Sequence, residues 1–302
     1  MEHKKVECYK CKKLLADNLV LPKGLCVYCA ADEADQLPQP QKQVKTNKRE
    51  ETAQLKAEKE LALRILSRKR MLPFVEKFNP DYQAGWVHKD VCRRLEKFSQ
   101  DVAEKKSPRL MLFMPPRHGK STLASIAFPA WHLGRNPDHE FISCSYSGSL
   151  AMSFSRKVRQ LLREPNYKNV FENTKLDKDS QSVESWQTTE SGGYVAAGVG
   201  GGITGKGAHV LLIDDPVKNR EDAESENNRE ATWDWYTSTA YTRLSPGGGI
   251  LVILTRWHDD DLAGKLLTAE EEGADEWEVV KYPAIAEEDE EFRAAGEPLH
   301  PE

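Results

Sequence analysis

The stretch RLMLFMPPRHGKST, residues 109–122, decides the fold. It begins with a short apolar run, typical of a buried strand, and is followed by a helical pattern that continues to Leu133. A Gly-Lys-Ser between a strand and a helix is the second half of a phosphate-binding loop, where backbone amides and the helix N-terminus receive a phosphate. Lys120 would reach the β and γ oxygens, and the Ser121 hydroxyl would ligate Mg²⁺. The first glycine of the general pattern is missing, because Met114 stands there.

Four further apolar segments follow, and helical patterns separate most of them. Short strands that alternate with helices predict an α/β fold, with a mostly parallel sheet and helices on both faces. Residues 183–199 interrupt this order and predict a hairpin turned at Gly192-Gly193. The predicted strands are 109–114, 140–146, 209–214, 249–255 and 277–285, and the predicted helices include 82–98, 149–163, 222–240 and the segment after 259.

Two adjacent carboxylates end the predicted strand HVLLID. Asp214 would hold Mg²⁺ through water, and Asp215 would orient and deprotonate an attacking water. A strand that simply ends in an Asp-Asp-Pro turn is the alternative, and it would be the commoner case if the phosphate-binding loop did not lie about ninety residues upstream.

The predicted strand 249–255 also ends in polar residues. Ligands of open α/β sheets bind at the carboxyl ends of the strands, so Thr255 could sense a γ-phosphate and Arg256 lies beside it. The aspartates at 259–261 are better explained as the first turn of a helix than as a nuclease metal site.

Two Cys-x-x-Cys pairs lie near the N-terminus, with fourteen residues between them. Four thiolates in this arrangement suit a tetrahedral Zn²⁺ site, formed by Cys8, Cys11, Cys26 and Cys29. Redox motifs or chance placement are the alternatives. Cys92 and Cys144 stand alone in apolar surroundings and are interpreted as buried fillers.

The chain of 302 residues is long enough for about two domains. It holds no apolar run of membrane-spanning length and no apolar core of a secretory signal at its N-terminus. Residues 270–302 carry thirteen acids and two bases, whereas 1–269 carry 41 bases and 35 acids, which permits a polyanionic partner. The predicted domains are a zinc knuckle at 1–31, a linker at 32–50, a charged helix at 51–73, a nucleotide-binding domain at 74–286 and an acidic linker at 287–302.

The ordered series of motifs resembles the ATPase domain of the large terminase subunit, the DNA-packaging motor of tailed bacteriophages. The resemblance covers about 74–286 and implies a P-loop NTPase that hydrolyses ATP with Mg²⁺. The matching stretches are PPRHGKST at 115–122, FPAWHLGRNP at 128–137, SYSGSLAMSFSRKVR at 145–159, GVGGGITGKGAHVLLIDDPVKNREDAES at 198–225 and WDWYTSTAYTRLSPGGGILVILTRWHDDDLAGKLL at 233–267.

The resemblance also implies roles for individual residues. Arg117 would stabilise charge on the transferred phosphoryl group, and Thr255 with Arg256 would couple hydrolysis to motion of the DNA. Gln83 and His88 are both candidates for the adenine contact. The remaining loop positions that would bind ATP are His118, Gly119 and Thr122.

The chain departs from the family pattern in its second carboxylate. Many such motors have Asp-Glu where this chain has Asp-Asp, so the catalytic carboxylate would be Asp215, as we favour, or else Glu221 or Glu224.

The other departure is the C-terminal nuclease domain of the family, for which 302 residues leave no room. We therefore expect no endonuclease activity, with the nuclease truncated or on another polypeptide. The implied partners are double-stranded DNA, the portal protein, the small terminase subunit and further copies of the chain in a ring, in the host cytoplasm and transiently on the procapsid.

Two other functional interpretations remain open. A zinc-containing adaptor with an inactive nucleotide fold would fit the missing glycine and the Asp-for-Glu change. A helicase would share the chemistry, although its downstream motifs are not recognisable.

Overall fold

The structure, a computed structural model, describes residues 5–7, 12, 14–16 and 47–299 in two units, Met1–Leu66 and Ser67–Glu302. In the first unit, β1 (Lys5–Glu7) pairs antiparallel with β2 (Leu14–Ala16). Helix α1 (Asn47–Lys69) follows and ends inside the second unit. The four cysteines of the predicted zinc site lie outside the described residues, so that site stays a prediction.

The second unit is a mixed α/β fold with one eight-stranded sheet. The strands lie in the order β10-β3-β9-β8-β4-β7-β6-β5. The six from β10 to β7 run parallel, whereas β6 and β5 are antiparallel additions at one edge. The strands are β3 (Arg109–Phe113), β4 (Glu140–Ser145), β5 (Leu176–Gln181), β6 (Ser185–Thr188), β7 (Gly193–Gly198), β8 (Ala208–Asp214), β9 (Leu244–Leu254) and β10 (Glu278–Lys281).

Helices connect the parallel strands. A π-helical turn, Thr122–Ala127, comes directly before the helix Phe128–Arg135, and another, Tyr236–Ala240, follows the helix Glu226–Trp235. The helices are α2 (Met71–Phe78), α3 (Trp86–Ala103), α4 (Phe128–Arg135), α5 (Gly148–Arg163), α6 (Pro165–Val170), α7 (Arg220–Glu224), α8 (Glu226–Trp235) and α9 (Leu262–Glu271).

Alternate residues of the central strands supply two hydrophobic cores, one on each face of the sheet. Leu112 and Ile253 join the core under α2 to α6, whereas Phe113 and Leu254 join the core under α8 and α9. Side chains of a strand point to opposite faces in turn, so a strand buried on both faces must be apolar throughout. This explains the continuous apolar runs, and the predicted parallel sheet with helices on both faces is confirmed.

The predicted hairpin is present, since Trp186 of β6 faces Tyr194 of β7 in antiparallel register. Its turn covers residues 189–192, and Gly193 already belongs to β7. Strand β5 was not predicted, because LDKDSQ has no apolar alternation. It pairs only with β6 at the edge of the sheet, where a polar strand is tolerated.

Several helix boundaries differ from the sequence patterns. Instead of one helix over 51–73, α1 ends at Lys69 and Arg70 is extended, with its guanidinium 2.8 Å from Glu96 Oε2. Pro73 has no N–H to continue the helical ladder, which explains the break.

The helix predicted over 82–98 begins at Trp86 instead, because His88 Nδ1 accepts a hydrogen bond from the backbone N–H of Gly85 at 2.9 Å. The helix predicted over 222–240 is divided at Ser225, whose hydroxyl caps α8. No helix in the described part of the chain combines the length and hydropathy needed to cross a membrane.

Candidate functional site

The loop between β3 and the helical segment carries most of the predicted binding residues. Its backbone has positive φ at Arg117 (65°) and at Gly119 (80°). Gly119 is the residue type suited to this conformation, whereas a non-glycine residue there is strained, as Arg117 is. The first helical hydrogen bond runs from Leu123 N to Gly119 O at 3.0 Å. The amides before it therefore lie at a helix N-terminus, which favours an anion.

Met114 occupies the position of the missing glycine without disturbing this loop. Its backbone N–H donates to Leu254 O at 3.3 Å and its side chain is buried in the core. Position 114 thus continues the pairing of β3 with β9, and the turn begins only after it.

Lys120 is nearly buried and faces the ends of two neighbouring strands. Its ammonium lies 2.7 and 2.8 Å from the two carboxylate oxygens of Asp215 and 2.6 Å from Thr255 Oγ1. The lysine is 8% exposed, so these charge-assisted contacts replace most of its hydration. The structure thus brings together three residues that the sequence predicted separately. Asp215 follows Lys120 by 95 positions in the sequence, and Thr255 follows it by 135.

Asp215 is held from two sides. The Thr255 backbone N–H donates to its Oδ1 at 2.9 Å, and its own N–H donates to Ile253 O at 2.8 Å. Its φ of 43° lies in the left-handed region, which an aspartate tolerates better than most residues. The carboxylate is therefore aimed at Lys120 by the backbone at the end of β9.

Asp214, the last residue of β8, is 1% exposed. The Ser125 hydroxyl donates to its Oδ2 at 2.5 Å, and no described group makes a hydrogen bond of normal geometry with Oδ1. Burial, and then the negative charge of Asp215, raise the pKa of this carboxyl to about 6, against the opposing effects of Ser125, Ser121 and Lys120.

A buried oxygen without a partner favours a cation beside it. A carboxylate oxygen and the nearby Ser121 hydroxyl are ligands that Mg²⁺ accepts, and this ion usually takes its other ligands from phosphates and waters. The described residues contain no cluster of three or more His, Cys, Asp or Glu side chains that could hold a metal alone. The site thus fits Mg²⁺ carried by a nucleotide.

The two candidates for a base contact lie in different surroundings. Gln83 is exposed, whereas His88 is buried beneath the loop. Because His88 Nδ1 accepts from Gly85, its Nε2 carries the proton and donates to His118 O at 3.3 Å. The ring of Tyr82 meets that of His88 edge to face at 5.5 Å. His88 therefore supports the loop, which leaves Gln83 as the accessible candidate.

Arg256 turns away from Lys120 and ties the next segment together. Its Nε lies 2.7 Å from Asp261 Oδ2, and its Nη2 donates to the carbonyl of Asp259 at 2.9 Å. Asp261 also caps α9, accepting from Gly264 N at 3.0 Å. The structure thus connects the end of β9 to α9. Asp261 is explained as a helix-capping and ion-pairing residue, and Asp260 as an ion-pairing residue, because it pairs with Arg229 and Lys265.

The remaining predicted residues lie at the surface of the site. Arg117 and Thr122 are exposed and His118 is half-buried, with Nδ1 2.9 Å from Pro116 O. Glu221 and Glu224 are exposed, and Glu224 pairs with Arg220 at 3.4 Å. Neither glutamate contacts Lys120, whereas Asp215 does.

Sequence reasoning missed Ser125 and Tyr82. A signal existed for Ser125, because it lies four residues after Ser121 and such residues share a helix face. Tyr82 begins the region 82–88, where the resemblance puts the adenine contact, but no signal singled out its side chain.

A known protein family matches most of this second unit. The family model described as "Terminase large subunit, T4likevirus-type, N-terminal" matches residues 111–302. Among curated proteins, none matches the chain.

Large terminases are among the solved structures that are similar to the chain. The large terminase of bacteriophage HK97 has 16% identity and a TM-score of 0.49, over 74% of this chain and 45% of that one. The large terminase of a thermophilic bacteriophage has 13% identity and a TM-score of 0.36, over 60% of this chain and 40% of that one. The complex of that same terminase with ADP has 12% identity and a TM-score of 0.37, over 61% of this chain and 44% of that one.

The chain thus spans less than half the length of these structures. The family model, by contrast, matches well over half of the chain itself. The chain therefore belongs to the family of terminase large subunits.

Proposed function

We propose that this chain is the ATPase domain of a DNA-packaging motor, a P-loop NTPase that hydrolyses ATP with Mg²⁺ to move double-stranded DNA into a procapsid. The observation that carries the proposal is the buried Lys120 ammonium, held between Asp215 and Thr255 near Asp214, whose Oδ1 has no hydrogen-bond partner among the described residues. Membership of the terminase large subunit family supports it.

In this mechanism the loop binds the phosphates of ATP. The amides that precede Leu123 and the side chain of Lys120 receive the β and γ oxygens. Ser121 and Asp214 would hold Mg²⁺, which neutralises charge on the phosphates when it is bound. Arg117, which is exposed on the strained turn, would stabilise the charge of the transferred phosphoryl group, and the exposed Gln83 would contact the adenine.

Asp215 is the proposed general base. The backbone N–H of Thr255 fixes its carboxylate, which can accept the proton of a water at Oδ2 once Lys120 has turned to the phosphates. Glu221 and Glu224 are weaker candidates, because both are exposed and neither contacts the lysine. Thr255 contacts both Lys120 and Asp215, which supports the proposal that it senses the γ-phosphate.

Coupling to movement is proposed for Arg256. This residue follows Thr255 directly and is ion-paired with the cap of α9. A shift at Thr255 would therefore reach that helix through one side chain.

The DNA partner is supported by a basic face on α5. Arg156 and Arg163 are exposed and Arg159 lies between them. None of the three has a carboxylate within 4.0 Å in the part of the chain that the structure describes. Burial lowers the pKa of Arg159, and the positive charges of Arg163 and Arg156 lower it further. Contacts of such a face with DNA phosphates would be independent of sequence and would weaken with salt. The portal protein, the small subunit, a ring of copies and the zinc knuckle remain proposals from the family resemblance and the cysteine spacing.

The test is Mg²⁺-dependent ATP hydrolysis by the full chain, with and without duplex DNA. We expect Asp215→Asn to lose at least about 100-fold, as removal of a general base typically does. Lys120→Ala should lose at least about 100-fold as well, because the charge on the β and γ oxygens would no longer be stabilised. Lys218→Ala is the matched control and should hydrolyse ATP at the wild-type rate. Glu221→Gln tests the alternative base and should also keep its activity if Asp215 is the base.

The outcomes separate the alternatives. Loss in Lys120→Ala without loss in Asp215→Asn would assign the base to Glu221 or Glu224. A wild-type chain that binds DNA but neither binds nor hydrolyses ATP would favour the adaptor function.

A further inference from the structure

The Asp214 carboxylate is oriented by a residue that lies outside the loop. Ser125 is completely buried, and its hydroxyl donates to Asp214 Oδ2 at 2.5 Å across 89 positions of sequence. This hydroxyl has one proton to donate, and the carboxylate accepts it with the oxygen that faces the helix.

The local helix geometry places two serines near the same carboxyl. Ser121 and Ser125 are four residues apart and so share a helix face, and among the described residues Ser125 is the one whose hydroxyl makes a hydrogen bond of normal geometry with Asp214. Thr122–Ala127 forms a π-helical turn, in which Phe128 N donates to Leu123 O. Such turns are rare and occur frequently at functional sites.

A purely structural role for Ser125 would be to satisfy a buried carboxylate. The second oxygen contradicts that interpretation, because Oδ1 makes no normal hydrogen bond with any described residue. The neighbouring strand offers a donor, since Ser145 is the register partner of Asp214. Its buried hydroxyl also lacks a hydrogen-bond partner among the described residues, so it does not turn to Oδ1. One oxygen is fixed while the other is left open.

We propose that Ser125 is a positioning residue that fixes the Asp214 carboxylate through Oδ2, so that Oδ1 is presented with the Ser121 hydroxyl to the divalent cation of the bound nucleotide. The inference rests on the proposed function, because it requires a metal–nucleotide complex in the loop. Residues that orient a metal ligand in this way typically contribute roughly 10–100-fold to metal affinity.

The experiment measures the affinity of the chain for Mn²⁺, which serves as a spectroscopic probe of the cation site. Binding of Mn²⁺ in the presence of ADP is followed by electron paramagnetic resonance for the wild-type chain, Ser125→Ala, Ser125→Thr and Ser143→Ala. Binding of ADP without metal is measured by calorimetry in parallel. Ser143→Ala is the matched control, because Ser143 is equally buried on the adjacent strand β4. Melting temperatures verify that each variant is folded.

We expect Ser125→Ala to weaken Mn²⁺ binding at least roughly 10-fold with metal-free ADP affinity unchanged, and Ser125→Thr to recover most of the loss because it keeps the hydroxyl. Equal Mn²⁺ affinity in Ser125→Ala and the wild type would overturn the positioning role. So would an equal loss for metal-free ADP, which would show an effect on the whole loop. A folded wild-type chain that binds no ADP, with or without Mn²⁺, would instead refute the proposed function.

Discussion

Replacing Thr255 by valine tests whether Lys120 exchanges partners when a nucleotide binds. Valine keeps the shape of threonine but removes the hydroxyl that lies 2.6 Å from the lysine ammonium. The two oxygens of Asp215, at 2.7 and 2.8 Å, would still hold the lysine. The second hydrogen bond lost, to Met114 O, is long at 3.3 Å. We therefore expect a loss near the lower end for hydrogen bonds to charged groups, about 1.5 kcal/mol of unfolding free energy without nucleotide.

The nucleotide then reveals where the lysine goes. If Lys120 leaves Thr255 for the phosphates, the loss affects only the nucleotide-free form, and ADP should bind Thr255→Val up to about tenfold more tightly than the wild type. Without nucleotide, the melting temperature should fall by about 3–6 °C. ATP hydrolysis should fall, because the hydroxyl that would sense the γ-phosphate is absent.

The assay is calorimetric ADP titration beside thermal unfolding, with Thr255→Ser as the control that keeps the hydroxyl. A lowered melting temperature with unchanged or weaker ADP affinity would refute the exchange of partners, since the lysine would then need Thr255 in both states.

A half-buried histidine, a crowded glycine and an arginine with a buried side chain provide three more tests. Burial, and then the charge of His209, lower the pKa of His139 to about 4. As the pH drops from about 6.5 to about 4, the unfolded chain therefore binds a proton at His139 before the folded chain does, and the unfolding free energy should fall. The loss should be about 2 kcal/mol for this partly exposed group and smaller in His139→Asn, measured by urea unfolding at several pH values. In Gly264→Ala the new Cβ would lie 1.7 Å from Asp259 O, so hydrolysis should fall while ADP binding by calorimetry persists. Arg109→Met leaves Asp275 and three carbonyls without the guanidinium, and its unfolding free energy should fall by about 3 kcal/mol in urea titrations, whereas an unchanged midpoint would refute that ion pair.

The sheet could be predicted from sequence because its central strands are buried on both faces. Apolar runs such as HVLLID have few alternatives once helical patterns separate them. Strand β5 could not be predicted, since its only strand partner is β6 and its residues are polar. Helix ends were misplaced where one side chain decides them, as His88 does at α3 and Ser225 at α8.

The residues of the candidate site that could be predicted are those that lie at the ends of strands. Asp214, Asp215 and Thr255 follow apolar runs, and parallel strands bring their carboxyl ends to one edge. The lysine's contacts with Asp215 and Thr255 depend on backbone directions that no motif records. Ser125 was missed because a serine inside a helix usually bonds its own backbone.

The tie between Arg256 and the cap of α9 has a mechanical consequence. Helix α9 has ten residues and is therefore a rod about 15 Å long. The Arg256 guanidinium contacts the N-terminal end of α9, through the Asp261 carboxylate and the carbonyl of Asp259. A tilt of about 10° around that grip would move the far end by roughly 2.6 Å, given the helical rise. A displacement too small to break a hydrogen bond at Thr255 would thus become a movement of roughly 2.6 Å at the far end of α9, which acts as the lever arm.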